Sequence, residues 1–280
     1  MTRALTALLL FARHERILAV RSRWTQVFAA VFAALALAVA GSGYVLSGGH
    51  GIQDFARTTV SLVQLVLFVV PLTALLLGAM ALAPDRGAAE MMFSQPVGRA
   101  TILLGRLLGL FQALVAAQAI GFGVAGLVIF SQSGEEGVLG YVLVFVGSAV
   151  LTAVFLGIAA WIAAGGAASR RARTLALALV VWFATVVLFD IVALGLASLL
   201  PSGTASRLLI VSVIVNPVDA VRTGALMTIE GTAAFGSASL AFLRFTKGSL
   251  GAGLALAASL AAWTVLPTAA ALLRLRRADV

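Results

Sequence analysis

Residues 175–188 read Leu-Ala-Leu-Ala-Leu-Val-Val-Trp-Phe-Ala-Thr-Val-Val-Leu, fourteen positions without a charge and without polar–apolar alternation. A strand of a membrane barrel would alternate over about ten residues. Continuous apolar character instead predicts a helix whose surroundings are hydrocarbon on all sides. A helix needs roughly 20 mostly apolar residues to cross a bilayer. This run extends to one over 174–200, and five others of comparable length fall at 26–46, 59–83, 103–130, 138–164 and 248–273. The fold class expected is therefore an all-α polytopic membrane protein with six transmembrane helices.

Composition agrees, with 62% hydrophobic and 10% charged residues, far from the roughly 25% charged of soluble domains. The formal charge of +9 follows topology and gives no reason to expect nucleic acid. Arg3, Arg13, Arg16, Arg21 and Arg23 precede the first span. Arg86, Arg99 and Arg106 lie between the second and third, Arg170, Arg171 and Arg173 between the fourth and fifth, and Arg274, Arg276 and Arg277 after the sixth. The other side holds only Arg57, Arg207, Arg222, Arg244 and Lys247. Positive residues stay cytoplasmic, so both termini are expected inside. Ala38-Val39-Ala40 matches a signal-cleavage pattern, but the apolar run continues past it and cleavage is not expected.

Residues 1–25 combine apolar positions with Arg13-His14-Glu15-Arg16 and Arg21-Ser22-Arg23-Trp24, and are expected to form a cytoplasmic interfacial helix with Trp24 at headgroup level. Residues 26–280 form the transmembrane domain, including an outer segment over 201–247. There the apolar run 208–215 is too short to cross and ends at Asn216-Pro217, as in a re-entrant or interfacial helix. The rest of the segment is expected to be an outer cap or partner surface, with Asn216, Pro217, Asp219 and Arg222 as its candidate residues.

Catalytic motifs are missing. A P-loop needs Gly-Lys-[Ser/Thr], and the one lysine, Lys247, is followed by Gly248. Cysteine is absent and the two histidines, His14 and His50, are expected on opposite sides, so no metal site is expected and the chain is not expected to be an enzyme. Gly121-Phe122-Gly123-Val124-Ala125-Gly126 matches G-x-G-x-x-G, but it lies inside a span rather than after a strand. Small residues for helix contact explain it, as they do Gly105 and Gly109. Asp190 is the carboxylate placed clearly within the membrane and needs a partner. Gln64, Gln112 and Gln118 are the candidates, and together with it they are the candidate pathway residues.

Three stretches carry a family resemblance. Ala12-Arg13-His14-Glu15-Arg16 with Arg21-Ser22-Arg23-Trp24 resembles the entrance helix of ABC-2 type permeases. The stretch from Asp85 through Glu90, Met91, Met92, Pro96 and Arg99 to Leu103-Leu104-Gly105-Arg106-Leu107-Leu108-Gly109 resembles their segment after the second span. Ala88-Ala89-Glu90 departs from the usual apolar and Thr positions, and Arg106 stands where Lys is usual. Asn216-Pro217-Val218-Asp219-Ala220-Val221-Arg222 resembles N-P-x-D-x-x-R. Within that family the chain is most similar to the NosY type, permeases of nitrous oxide reductase maturation.

The resemblance implies an ABC-2, type V exporter-like fold in a bacterial inner membrane. It implies a second copy of the chain, a separate NosF-like cytoplasmic ATPase that holds ATP and Mg, and a periplasmic NosD-like β-helix protein. No cofactor is expected in this chain. Arg13, Glu15, Asp85, Arg86, Glu90, Met91, Met92, Pro96 and Arg99 would form the ATPase-contacting surface. Three alternatives stand beside it. They are a general ABC-2 exporter of lipid, drug or glycan, an ion-coupled secondary transporter centred on Asp190, and a membrane anchor that transports nothing.

Overall fold

A computed structural model describes residues 2–47, 51–83, 97–133, 138–165, 171–229 and 242–277. Every regular element among them is helical, as expected of a chain that must satisfy its backbone within lipid. Among the described residues, six helices are long and apolar enough to cross a membrane: Arg23–Ser42, Thr58–Leu82, Arg99–Ser131, Val138–Ala163, Arg171–Ser198 and Ser249–Arg276. The expected class and span count hold.

Helix α1 (Thr2–Arg21) is separated from α2 (Arg23–Ser47) at Ser22. α1 does not cross. It lies along the first turns of α4 (Arg99–Ser133). Gly105 and Gly109 make that approach possible, since a Cβ on Gly105 would sit 2.7 Å from Phe11 Cβ and one on Gly109 2.8 Å from Glu15 Cβ. Small residues here serve the contact with α1.

The centre of the bundle is α3 (Gly51–Leu82) against α5 (Val138–Ala163). Leu62, Val66, Val70 and Leu75 meet Leu151, Phe155 and Ala159 in one core, at the one-face spacing of a helix. A Cβ on Gly78 would fall 2.8 Å from Ala159 Cβ, so these two backbones are as close as their sequences permit. Between α4 and α5, buried Gln118 donates to Thr152 Oγ1 (2.8 Å) and accepts from Ser148 Oγ (3.0 Å). That side-chain network crosses lipid-depth surface with its hydrogen bonds satisfied.

The fifth span is built differently. α6 (Arg171–Trp182) passes through a π-helical segment, Phe183–Leu188, into α7 (Phe189–Ser198). Its most apolar stretch is 11% buried, against 56% for α5. The span therefore lies at the edge of the subunit.

Between the fifth and sixth spans, α8 (Ser202–Val215) and α9 (Pro217–Ile229) meet at 101°. The sequence predicts only 208–215 as helix. The structure extends that helix back to Ser202, after Pro201, and adds a second. Two features start α9. Pro217 at the first helical position loses no needed hydrogen bond. Asn216 Oδ1 accepts from Val218 N–H at 3.0 Å, an N-cap. α9 then packs on α3 and α5 through Val218, Val221 and Ala225. α10 (Ser249–Arg277) completes the bundle. Phe242 joins Ile210, Ala220, Ala252 and Leu256 in a second small core that ties the hairpin to it.

Candidate functional site

Two polar stations lie apart in the bundle, one at the end carrying both termini and one at the hairpin that enters from the other side. The first lies where α1, the end of α3, the start of α4 and the end of α10 converge. Glu15 is buried on the face of α1 that meets α4, and Arg106 Nε donates to its Oε2 at 2.8 Å. The same guanidinium donates through Nη2 to the carbonyl of Ala81 in the last turn of α3. The side chains are 15% and 9% exposed, so this is a nearly enclosed pair with a backbone acceptor beside it. A cation at a helix C-terminus also meets the negative end of the helix dipole. Arg99 Nη1 donates to Leu275 O at 3.0 Å, and Arg274 Nη1 donates to Trp161 O at 3.2 Å while stacking 4.4 Å over the Trp161 ring. Three arginines thus bind the ends of α3, α5 and α10 to α1 and α4.

Among the residues expected at an ATPase surface, Arg13 is exposed on α1, Glu15 is buried and Arg99 is half-buried. Asp85, Arg86, Glu90, Met91, Met92 and Pro96 lie outside the described residues. Arg106, the hub of the station, was outside the expected set. Its position in the run Leu104–Leu108 marked it, because a charge between apolar neighbours at a span's start needs a partner.

The second station is the hairpin between α8 and α9. Asn216 Nδ2 donates to Thr185 O (2.8 Å), and Trp263 Nε1 donates to Val215 O (2.9 Å). Thr185 and Trp263 both fall near the middle of their spans, so the hairpin tip reaches about half-way into the bundle. The acceptor carbonyl belongs to the π-helical segment, whose altered backbone hydrogen bonding leaves carbonyls available to outside donors. Above it, Arg222 Nη1 donates to Asp190 Oδ2 and to Asp219 Oδ1, both at 2.7 Å. Arg222 Nε is buried with no hydrogen-bond partner. The triad borders a cavity of about 220 Å³ whose walls include Leu194, Ile210, Ser212 and Phe242.

Asp190 therefore meets its charge partner, but not one of the expected ones. Gln118 is bonded to Ser148 and Thr152. Gln112 lies at the other end, where Arg16 Nη1 reaches it at 3.4 Å. Gln64 is exposed on α3. The base comes from the segment expected outside. The placement of that segment also differs from the expected outer surface, since Asn216, Pro217 and Asp219 are buried. The cause is the apolar face of α9, which turns inward against α5. Arg222 stays partly accessible at 26% of its side chain, and Asp190 at 28%. Two carboxylates on one guanidinium make a tight ionic lock between span five and the hairpin, and that lock opens toward a cavity.

Comparison with known proteins agrees with this architecture. The ABC-2 family transporter protein profile matches residues 9–280. The chain is 34% identical over 236 residues to the probable ABC transporter permease protein NosY of Pseudomonas aeruginosa, covering 82% of this chain and 85% of that one. The protein of the same name from Stutzerimonas stutzeri is 34% identical over 227 residues, covering 79% and 82%. A match across nearly the whole length, on a chain whose described residues hold six candidate spans, places it in the ABC-2 family of transporter permeases.

Proposed function

We propose that this chain is the membrane subunit of an ABC complex that couples ATP hydrolysis by a separate cytoplasmic ATPase to movement on the far side of a bacterial inner membrane. Both termini lie in the cytoplasm, two copies assemble, and ATP with Mg is bound by the ATPase alone. The complex serves copper-site maturation of nitrous oxide reductase, with a periplasmic β-helix protein as the outer partner. The observation that carries this reading is the Arg106 junction. One buried guanidinium fastens the interfacial helix to the ends of two spans, so a push on α1 is transmitted to the bundle without slack. Support for the maturation role comes from the similarity to NosY proteins, while the N-P-x-D-x-x-R segment at the hairpin tip supports the ABC-2 class.

The hairpin is the element at the far side that receives the motion. Its polar attachments to span five are one amide on a π-helical carbonyl and one shared guanidinium, and that span is the least buried of the six. A carrier built on Asp190 would need a carboxylate free to exchange an ion, whereas Asp190 is engaged at 2.7 Å.

Affinity purification of the tagged chain from its native host in mild detergent, followed by mass spectrometry, tests the reading. A P-loop ATPase together with a periplasmic repeat protein is expected. An ATPase without an outer protein would replace the maturation role with general export. An intact preparation without any ATPase would contradict the assignment.

A further inference from the structure

The G-x-G-x-x-G run of α4 separates into three glycines with different surroundings. A Cβ on Gly121 would strike Phe32 of α2, 2.5 Å from its ring, and one on Gly126 would touch the Tyr141 ring at 3.3 Å. Both serve helix packing. Gly123 has no atom within 4 Å of the position its Cβ would take. It lies on the floor of a cleft of about 600 Å³ between α4 and α5.

The walls of this cleft are aromatic and mutually braced. Phe122 meets Tyr141 and Phe145 with ring centroids 5.5 and 5.3 Å apart, and Phe130 meets Tyr141 at 5.3 Å, all edge to face. Its polar atoms are already committed, as Tyr141 Oη donates to Phe122 O and Ser131 Oγ to Val128 O. The cleft thus offers a ligand apolar surface and no unengaged hydroxyl. It has the size and apolar lining of a ligand site, and it sits inside two membrane spans. Its rim carries Leu127, 76% exposed, and Val142, which face the bilayer, so its mouth opens sideways into hydrocarbon.

We propose that this cleft is a binding site for one acyl chain of a membrane phospholipid, with Gly123 as its floor. A second copy of the chain is the weaker occupant. The faces left most open lie on spans one, five and six, which are 28%, 11% and 17% buried, whereas the cleft joins spans that are 50% and 56% buried.

The test uses the full chain with its ATPase, reconstituted in vesicles containing phosphatidylethanolamine that carries a diazirine on one acyl chain. Photolysis should label residues 119–131 and 141–145 several-fold more than 171–198, although the latter span is the more exposed of the two regions. Gly123→Leu, which points into open space, should remove that excess and leave labelling of 171–198 unchanged. Val142→Trp should do the same from the opposite wall. Uniform labelling, or an excess that survives both substitutions, overturns the site. The chain has no cysteine, so Gly123→Cys gives an independent check. A disulfide-linked dimer formed in membranes would assign the cleft to the second copy and overturn the proposal as well.

Discussion

The two polar stations use the same chemistry to opposite ends. At the end carrying both termini, Arg106 is paired with a buried carboxylate and backed by a backbone carbonyl, and its neighbours are well-packed helices. At the hairpin, one guanidinium is shared by two carboxylates, Arg222 and Asp190 are about a quarter exposed, and the adjoining span carries a π-helical segment and is mostly bare. A buried, fully paired ion resists movement because separation leaves a charge in low dielectric. A shared ion beside a cavity can release one partner and keep the other. The comparison assigns rigid transmission to the first station and release to the second.

Substitutions can break or sharpen this contrast. The largest effect is expected from Arg106→Ala, which leaves Glu15 buried and uncompensated. Loss of about 3–5 kcal/mol should appear as aggregated or absent protein in detergent. Arg106→Ala with Glu15→Gln should recover much of the folded yield without recovering ATP-dependent activity, because the bundle ends are no longer fastened to α1. If the single variant is as stable as wild type, the rigid-station assignment is wrong.

Arg222→Met should cost less, about 2–3 kcal/mol, because the triad has some access to water. It should lower the thermal midpoint modestly and abolish coupled activity. Asp190→Asn sharpens the point. An amide oxygen still accepts from Arg222, so the chain should fold normally and retain part of its ATP-driven activity. Complete loss with normal folding would instead favour an ion-carrying Asp190.

Asn216→Ala removes both the α9 cap and the bond to Thr185, for about 1–2 kcal/mol. Proteolysis of 202–229 should accelerate while the rest of the chain stays protected. Smallest is Gln118→Leu. Ser148 and Thr152 keep their bonds to Phe145 O and Ser148 O, so a change near 0.6 kcal/mol is expected, visible only in a sensitive unfolding titration.

Much of this architecture was legible in the sequence because lipid imposes a single requirement on each span. Uncharged runs such as 175–188 announce helices, and Asn216-Pro217 announces a break. Helix α9 was missed because Asp219 and Arg222 interrupt its apolar residues, so no uncharged run marks it. Its apolar face, Val218, Val221 and Ala225, follows helical spacing and was the available signal. Ion pairs were harder. Glu15 and Arg106 are 91 residues apart, Asp190 and Arg222 are 32 apart, and no local pattern joins them. One rule would have narrowed the second case. An acid within a span seeks a base, and 201–247 holds few of them. The π-helical segment has no proline or glycine to mark it, and only the tertiary contact from Asn216 explains its place.

The central claim is that the hairpin moves while the terminal station does not. With no native cysteine to remove, spin-label pairs can be placed at Ile191 and Val211 across the hairpin contact, and at Leu18 and Leu273 across the terminal station. Distances would be measured in the ATPase complex by pulsed electron resonance, without nucleotide and with ATP trapped. The account predicts a new distance population for the Ile191–Val211 pair and an unchanged distribution for Leu18–Leu273. A shift confined to Leu18–Leu273, with the hairpin fixed in both states, would contradict it.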